Sequence, residues 1–370
     1  MKTMMREKLS VWQARYDKYR PYWPATFFIL GFAFDVFTLD RVDSTWALLQ
    51  QLLYLSACWL ILIFSFFLQT RPDQSAGWGK IRHFYEEYKT EALHFFFGAL
   101  LSTYTLFFFK SSSLVVSFGF MVVMAVLLVA NEWSRFQAAS LPFKFALLCL
   151  CTLCFSLCVV PIFAGSIGLL VFLASLVFGV TPFAAFSYWL LKRRAPLFEL
   201  CKKQILIPSS LVTCAFLILY VFHLIPPVPL SVQFMGVYHD IKKNHGVYEL
   251  YHENPWWRFW SSGDQKFAAQ PGDKVYVFFR IFSPTHFSDR VRLVWSHDDP
   301  KYGWVKQDEI PIEISGGRDL GFRGYGLKSN YVPGDWRVQL ETLDGREVSR
   351  IHFNLDLAPE IPRRFEMEVQ

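Results

Sequence analysis

The side chains best suited to chemistry gather late in the chain, where Arg318, Arg323, Tyr325 and Lys328 are interleaved with Gly316, Gly317, Gly321, Gly324 and Gly326. Glycines let a backbone approach a ligand closely, and a guanidinium holds a carboxylate or phosphate through two parallel hydrogen bonds. Trp295, His297 and Trp304 precede this stretch and offer rings that could stack on a sugar. Together these seven residues predict a surface for an anionic envelope polymer or an acidic protein partner. The same charges on an edge strand would instead guard it against pairing with a second sheet.

Other candidates are sparser. Asp35 and His94 sit inside otherwise apolar runs, where an ionisable group is a functional candidate by default. The order of the runs puts them toward opposite leaflets, so they are not expected to meet. Cys151 and Cys154 have the C-x-x-C spacing of redox pairs, with Cys158 on the same helical face. Without a cation close in sequence, their thiols read as small inert hydrophobes. His297-Asp298-Asp299 lacks a second cluster with ligand spacing, so no metal is expected, and no cofactor motif is present. The phosphate-loop, nucleophile-elbow and H-E-x-x-H patterns are missing from the sequence, and the reading favours a non-enzymatic protein.

What must position these residues is legible from hydropathy. Apolar runs fall at about 25–39, 46–68, 92–109, 114–130, 145–163, 167–191 and 205–225, each read as a span of the roughly 20 residues that a bilayer requires. The last ends in a proline brake at Pro226, Pro227 and Pro229, beyond which such density never returns. Residues 4–19 carry one apolar stripe with Trp12, Tyr16 and Tyr19, as an interfacial helix does. The stretch 71–91 reads as a segment lying along the inner leaflet. Gly179 and Pro182 suggest a bend in the sixth run.

Cations separate the two leaflets. Alternate segments contain Lys2, Arg6, Lys8, Arg15, Lys18 and Arg20, then Arg71, Lys80, Arg82 and Lys89, then Arg135 and Lys144, then Lys192, Arg193, Arg194, Lys202 and Lys203. The intervening segments hold only Arg41 and Lys110. By the positive-inside rule the N-terminus is cytoplasmic and the tail is exported. The net charge of +6 is thereby explained without a nucleic-acid partner.

After residue 226 the period changes to two, at Val275–Ile281, Val291–Trp295, Ile310–Ile314, Trp336–Leu340 and Ile351–Leu355. Alternation of this kind marks strands with one buried face. The Asp344-Gly345 pair predicts a tight hairpin, and turns at Pro271-Gly272, Gly316-Gly317 and Pro333-Gly334 complete an antiparallel sandwich of about seven or eight strands. All seven Cys precede residue 226, so this domain is held by its core rather than by disulfides. The fold class is thus an α-helical transmembrane bundle of about seven spans followed by an all-β antiparallel sandwich. The expected divisions are an N-terminal helix at 1–21, the bundle at 22–225, a linker with the aromatic stretch Trp256–Trp260 at 226–269, the sandwich at 270–358 and a tail at 359–370.

The run Gly316-Gly317-Arg318-Asp319-Leu320-Gly321-Phe322-Arg323, followed by Lys328 and Pro333-Gly334-Asp335-Trp336-Arg337-Val338, resembles the bacterial domain-of-unknown-function family 2914. Val294-Trp295-Ser296-His297 and the Asp344-Gly345 hairpin leading to Phe353 add to the likeness, which covers about residues 270–356. The resemblance implies a bacterial membrane protein and carries no activity with it. It makes the exported side the periplasm and the membrane the inner one. The expected partners are the lipid bilayer and either an envelope polysaccharide or a periplasmic protein, in a sensory or scaffold role. The alternative is a transporter or membrane-embedded enzyme with its site near Asp35 and Pro182.

Overall fold

A computed structural model describes residues 33, 41–70, 79–111, 116–253, 262–285, 287–317, 321–360 and 362–370. The expected N-terminal helix, nearly all of the first apolar run including Asp35, the stretch Trp256–Trp260 and Arg318 lie outside the described residues.

The other apolar runs are helical: α1 (Thr45–Thr70), α2 (Gly79–Lys110), α3 (Phe118–Ala130), α4 (Leu141–Ala164), α5 (Leu169–Arg193) and α6 (Ala195–Val221). Among the described residues, five of these helices are long and apolar enough to cross a membrane, which corrects the expectation of seven spans. The exception is α3, whose 13 residues cover about 20 Å against a hydrocarbon core of about 30 Å. Nor does the chain turn before the expected third span, because α2 is one helix from Gly79 to Lys110 and absorbs most of the segment read as lying on the leaflet.

At the centre stands α4, apolar on every side and therefore buried on every side, with Phe145, Leu148, Cys151, Cys154, Phe155 and Cys158 all enclosed. The thiols of Cys151 and Cys154 are free. Gly179 explains how α5 reaches α4, since a Cβ there would stand 2.7 Å from Ser156 Oγ and 2.8 Å from Leu153 Cδ2. Small residues at such crossings let helices pack closely. Pro182, one turn on, faces outward.

Beyond the helices run eleven strands: β1 (Ser231–Tyr238), β2 (Asp240–Asn244), β3 (Val247–His252), β4 (Lys266–Ala269), β5 (Val275–Phe282), β6 (Ser288–Asp299), β7 (Gly303–Ser315), β8 (Phe322–Lys328), β9 (Gly334–Thr342), β10 (Glu347–Leu357) and β11 (Glu366–Val369). They form sheets of order β4-β10-β9-β6-β7, β1-β5-β8 and β11-β3-β2, antiparallel except where β4 joins β10. The first two sheets enclose the main core of Trp295, Trp336, Val277, Phe279, Leu293 and Phe353. The opposite face of β5 contributes Phe278 to a second core with Tyr238, Tyr248 and Leu250, roofed by the third sheet. Strand structure therefore begins at Ser231, within the stretch read as a linker, and ends in β11, within the stretch read as a tail. The β2–β3 hairpin closes through His245 and Gly246, both at positive φ, the backbone that a two-residue turn requires.

The helical and β regions are tied together. Ser288 N donates to Gly165 O at 2.9 Å, and Ile167 N to Asp289 Oδ2 at 2.7 Å. Thr285 N reaches Asp43 Oδ2 at 3.3 Å, and Arg41 lies over the Phe282 ring. The loop between β9 and β10 rests on α6, where Tyr220 Oη donates to Asp344 Oδ2 at 2.7 Å. Arg346 holds the same carboxylate through Nε at 2.9 Å and covers the Tyr220 ring, which stacks on Phe172 at 3.8 Å. Alternate ends of the helices thus meet the β domain.

Candidate functional site

Alternation along β6 and β9 turns Leu293, Trp295, Trp336 and Val338 into the core and leaves Ser296, Arg337 and Gln339 on the outer face of the five-stranded sheet. Register then decides what meets there. Arg337 lies opposite Ser296 on one side and His352 on the other, while Trp304 lies opposite Asp298. The Arg337 guanidinium stands 4.5 Å from the centre of the Trp304 ring, and the His352 ring is 5.5 Å from it, edge to face. Trp304 remains 38% exposed, enough for a ring to be met from outside.

The surrounding charges neutralise one another. Arg292 pairs with Glu309 at 2.7 Å, Arg350 with Glu347 at 2.5 Å, and Lys306 also with Glu309. Arg337 differs: among the described residues it makes no hydrogen bond or ion pair, and its Nε is buried without a partner. Burial, aided by the charge of Arg350, lowers its pKa, and burial with Arg350 and Arg337 lowers that of His352. A desolvated guanidinium with free N–H groups beside an open indole can grip an anionic group while the indole stacks on an adjoining sugar ring.

Of the seven residues expected to form one surface, Arg318 lies outside the described residues and the other six are found at separate places. Trp295 is wholly buried against Phe353 and cannot stack on a ligand. Lys328 is buried, paired with Asp308 and placed over Trp336. Arg323 donates to the Gln370 carbonyl at 3.0 Å and lies over Tyr248, on a different sheet from Trp304. Tyr325 is half-exposed beside Tyr248 and Tyr276. His297 contacts Pro333 O at 3.1 Å and the Trp336 ring, and of the six described residues Trp304 alone meets the Arg337 side chain. Nor do the glycines of β8 leave room for a ligand. A Cβ on Gly324 would strike Phe279 at 2.8 Å and one on Gly326 would strike Leu293 at 2.4 Å, so these glycines let β8 close over the core. Arg337 and His352 were missed, although alternation with Trp336 and with Phe353 already assigned both to the outer face.

Within the bundle, His94 has acquired partners that its sequence neighbours did not suggest. Asn131, buried, contacts His94 Nδ1 at 2.9 Å and donates to His94 O at 3.0 Å, and Glu132 lies 3.7 Å from Nε2. Gln137 in turn holds the Asn131 carbonyl.

A third cluster is internal to the β domain. His239, buried and stacked on Phe267 at 3.9 Å, accepts from Arg363 through Nδ1 at 3.3 Å. Arg363 also binds Asp273 at 2.6 Å and Glu253 at 3.2 Å. Burial, then the Arg363 charge, pushes the His239 pKa down to about 4, with Asp273 opposing. This cluster pins the segment after β10 to β1 and β4.

Residues 288–355 match the family described as a protein of unknown function, DUF2914. The DUF2914 match runs from the start of β6 into β10 and so includes Trp304, Arg337, His352 and the Asp344 loop, but none of the helices. Comparison with curated proteins finds no match. Among solved structures, the chain is similar to an immunoglobulin-like protein from Pseudomonas aeruginosa, at 12% identity over 32% of this chain and 97% of that one, with a TM-score of 0.20. It is also similar to the Pseudomonas fluorescens alkylpurine DNA glycosylase AlkC bound to DNA containing an abasic site analogue, at 9% identity over 86% and 99%, with a TM-score of 0.22. At such TM-scores neither likeness carries an argument.

Proposed function

We propose that this chain is a membrane-anchored recognition protein of the bacterial envelope, whose periplasmic β domain binds an anionic polysaccharide through Trp304 and Arg337. The observation that carries the reading is the unpaired Arg337 guanidinium held against an exposed indole, on a sheet face whose other cations are matched. Position supports it. Between Asp289, tied to the helical region, and Asp298, opposite Trp304, β6 advances nine residues or about 30 Å, so the pair stands away from the bundle where a polymer can reach it.

The orientation rests on charge and contact together. Helix ends beside the β domain carry Arg41 and Lys110, and the opposite ends carry Lys89, Lys144, Lys192, Arg193, Lys202 and Lys203. The positive-inside rule then makes the β-domain side the periplasm. Outward-facing Leu52, Leu60, Leu170, Val177, Leu211 and Ile218 offer lipid a broader apolar surface than soluble monomers usually expose. The several ties between the regions suit a scaffold or sensor in which an event at the sheet reaches the helices.

The test is retention of the full-length protein, in detergent micelles, on an immobilised acidic polysaccharide. Trp304→Ala and Arg337→Ala should each weaken retention about tenfold, the usual scale for losing a charge-assisted hydrogen bond or a stacked ring. Retention unchanged in the double variant would dismiss the site.

A second reading places function in the bundle, and the His94–Asn131–Glu132 cluster favours it. Loss of function in Glu132→Gln with normal membrane levels, and none in Trp304→Ala, would select this alternative.

A further inference from the structure

Strand β10 places His352 opposite Arg337 of β9, with its imidazole edge to face against the Trp304 ring at 5.5 Å between ring centres. Opposed residues on one face of an antiparallel pair hold their Cβ atoms about 4.5–5.5 Å apart. An anionic group held by the guanidinium is therefore within reach of the imidazole as well. His352 is exposed, and among the described residues its ring nitrogens make no hydrogen bond or ion pair. An unengaged imidazole beside an unengaged guanidinium gives the site a second donor.

The charge of that ring is set by its surroundings. Arg350 on its own strand and Arg337 on β9 oppose protonation, while Glu347 on β10 and Asp335 on β9 favour it. Glu347 is paired with Arg350, and Asp335 accepts from Asn354 at 2.8 Å. From β6 and β7 the same face carries Ser296, Asp298, Trp304 and Lys306; Asp298 acts on Arg337, and Lys306 is paired with Glu309. Burial, Arg350 and Arg337 together hold the His352 pKa below its ordinary value, so the ring is neutral at neutral pH. An anion seated on Arg337 reverses this balance, because a negative charge within about 4–6 Å favours the charged form.

We propose that His352 is the third binding group of this site and takes up a proton from solvent as a sugar carboxylate docks on Arg337, so that guanidinium and imidazolium hold the anion together. The inference rests on the reading of Trp304 and Arg337 as a polysaccharide site, and it names uronic acids as the ligand class. One uronic acid residue carries both a ring to lie against the indole and a planar carboxylate to accept from two donors. The sign follows from linkage. The bound state has the higher pKa, so binding is strongest below the free value and weakens as pH rises through the bound value.

The full-length protein in detergent micelles is titrated with polygalacturonate at pH ~7.5 and pH ~5, where the uronate groups stay ionised. The midpoint should fall about tenfold at the lower pH, the equivalent of one pKa unit of coupling. The His352 ring resonances should titrate at higher pH with the polymer than without it. His352→Gln should abolish the pH dependence of the midpoint, whereas His245→Asn, in the β2–β3 turn, should keep it. Fully methyl-esterified polymer, which has the rings without the charge, should show no gain at low pH. A midpoint that depends on Arg337 but not on pH, or that changes with pH equally in His352→Gln, overturns the inference and leaves the polysaccharide reading standing. A midpoint indifferent to Arg337→Ala, or no binding at either pH, overturns both.

Discussion

Tyr220 Oη on α6 donates to Asp344 Oδ2, in the loop between β9 and β10, at 2.7 Å across 124 residues of chain. Burial raises the Asp344 pKa, but the Arg346 charge and hydrogen bonds from Thr342, Tyr220 and Arg346 outweigh it and hold the carboxyl below its usual range. The hairpin that closes the sandwich is therefore also the part that seats it on the helices.

Removing the two partners of this contact should have unequal consequences. Tyr220→Phe deletes one hydrogen bond while the carboxylate keeps Arg346 and Thr342, a cost of about 1 kcal/mol. Asp344→Ala strands the buried Arg346 guanidinium and should cost about 3 kcal/mol. Thermal unfolding of the purified protein checks the order, and equal effects would contradict it.

Acid should loosen the β domain through His239. Its pKa of about 4 in the fold lies below the unfolded value of 6.5, so within that window the unfolded chain binds a proton that the fold does not. Stability is then fully present above pH 6.5 and falls as pH drops toward 4, by about 3 kcal/mol from this residue. His239→Gln should flatten the dependence between pH 6.5 and 5, measured by unfolding at a series of pH values.

Gly179→Ala places a methyl group against Ser156 and Leu153 of the central helix. The backbone of α5 must move or those side chains must leave their rotamers, at a cost of about 1–3 kcal/mol. A lower Tm in detergent is expected, whereas Gly119→Ala, where nothing lies within 4 Å, should be silent or slightly stabilising.

At the β2–β3 turn, His245 has φ 47°, in the left-handed region where Asn is better tolerated. His245→Asn should raise stability by about 0.5 kcal/mol, and Gly246→Ala, at φ 85, should lower it by about 1 kcal/mol. Chemical denaturation of the two variants gives the signs directly.

Much of the fold was legible because burial leaves a period. Val275–Ile281 and Trp336–Leu340 alternate because each strand turns one face to the main core, and both lie in strands of the structure, although the other face of β5 is also covered, at Phe278, by the third sheet. The third sheet was harder to read: β2 is Asp240-Ile241-Lys242-Lys243-Asn244, with one apolar residue among five, and its hairpin was signalled only by His245-Gly246. The candidate site was legible only in part. Trp295 and Trp304 are chemically alike and nine residues apart, yet one is core and the other open, and the bulge between Trp295 and Ser296 shifts the pairing with β7 from that point on.

By itself the sequence determined the two-part plan, apolar helices followed by strands, since hydrophobic density and period are local properties of the chain. It also determined the placement of the cations that bias orientation. Only the tertiary structure decided which charged residues are spent on one another, because ion pairs such as Lys328–Asp308 and stacks such as Arg337–Trp304 join different strands whose register the chain does not spell out locally. The same holds for Tyr220 and Asp344, 124 residues apart in sequence, which the seating of the β9–β10 loop on α6 brings together.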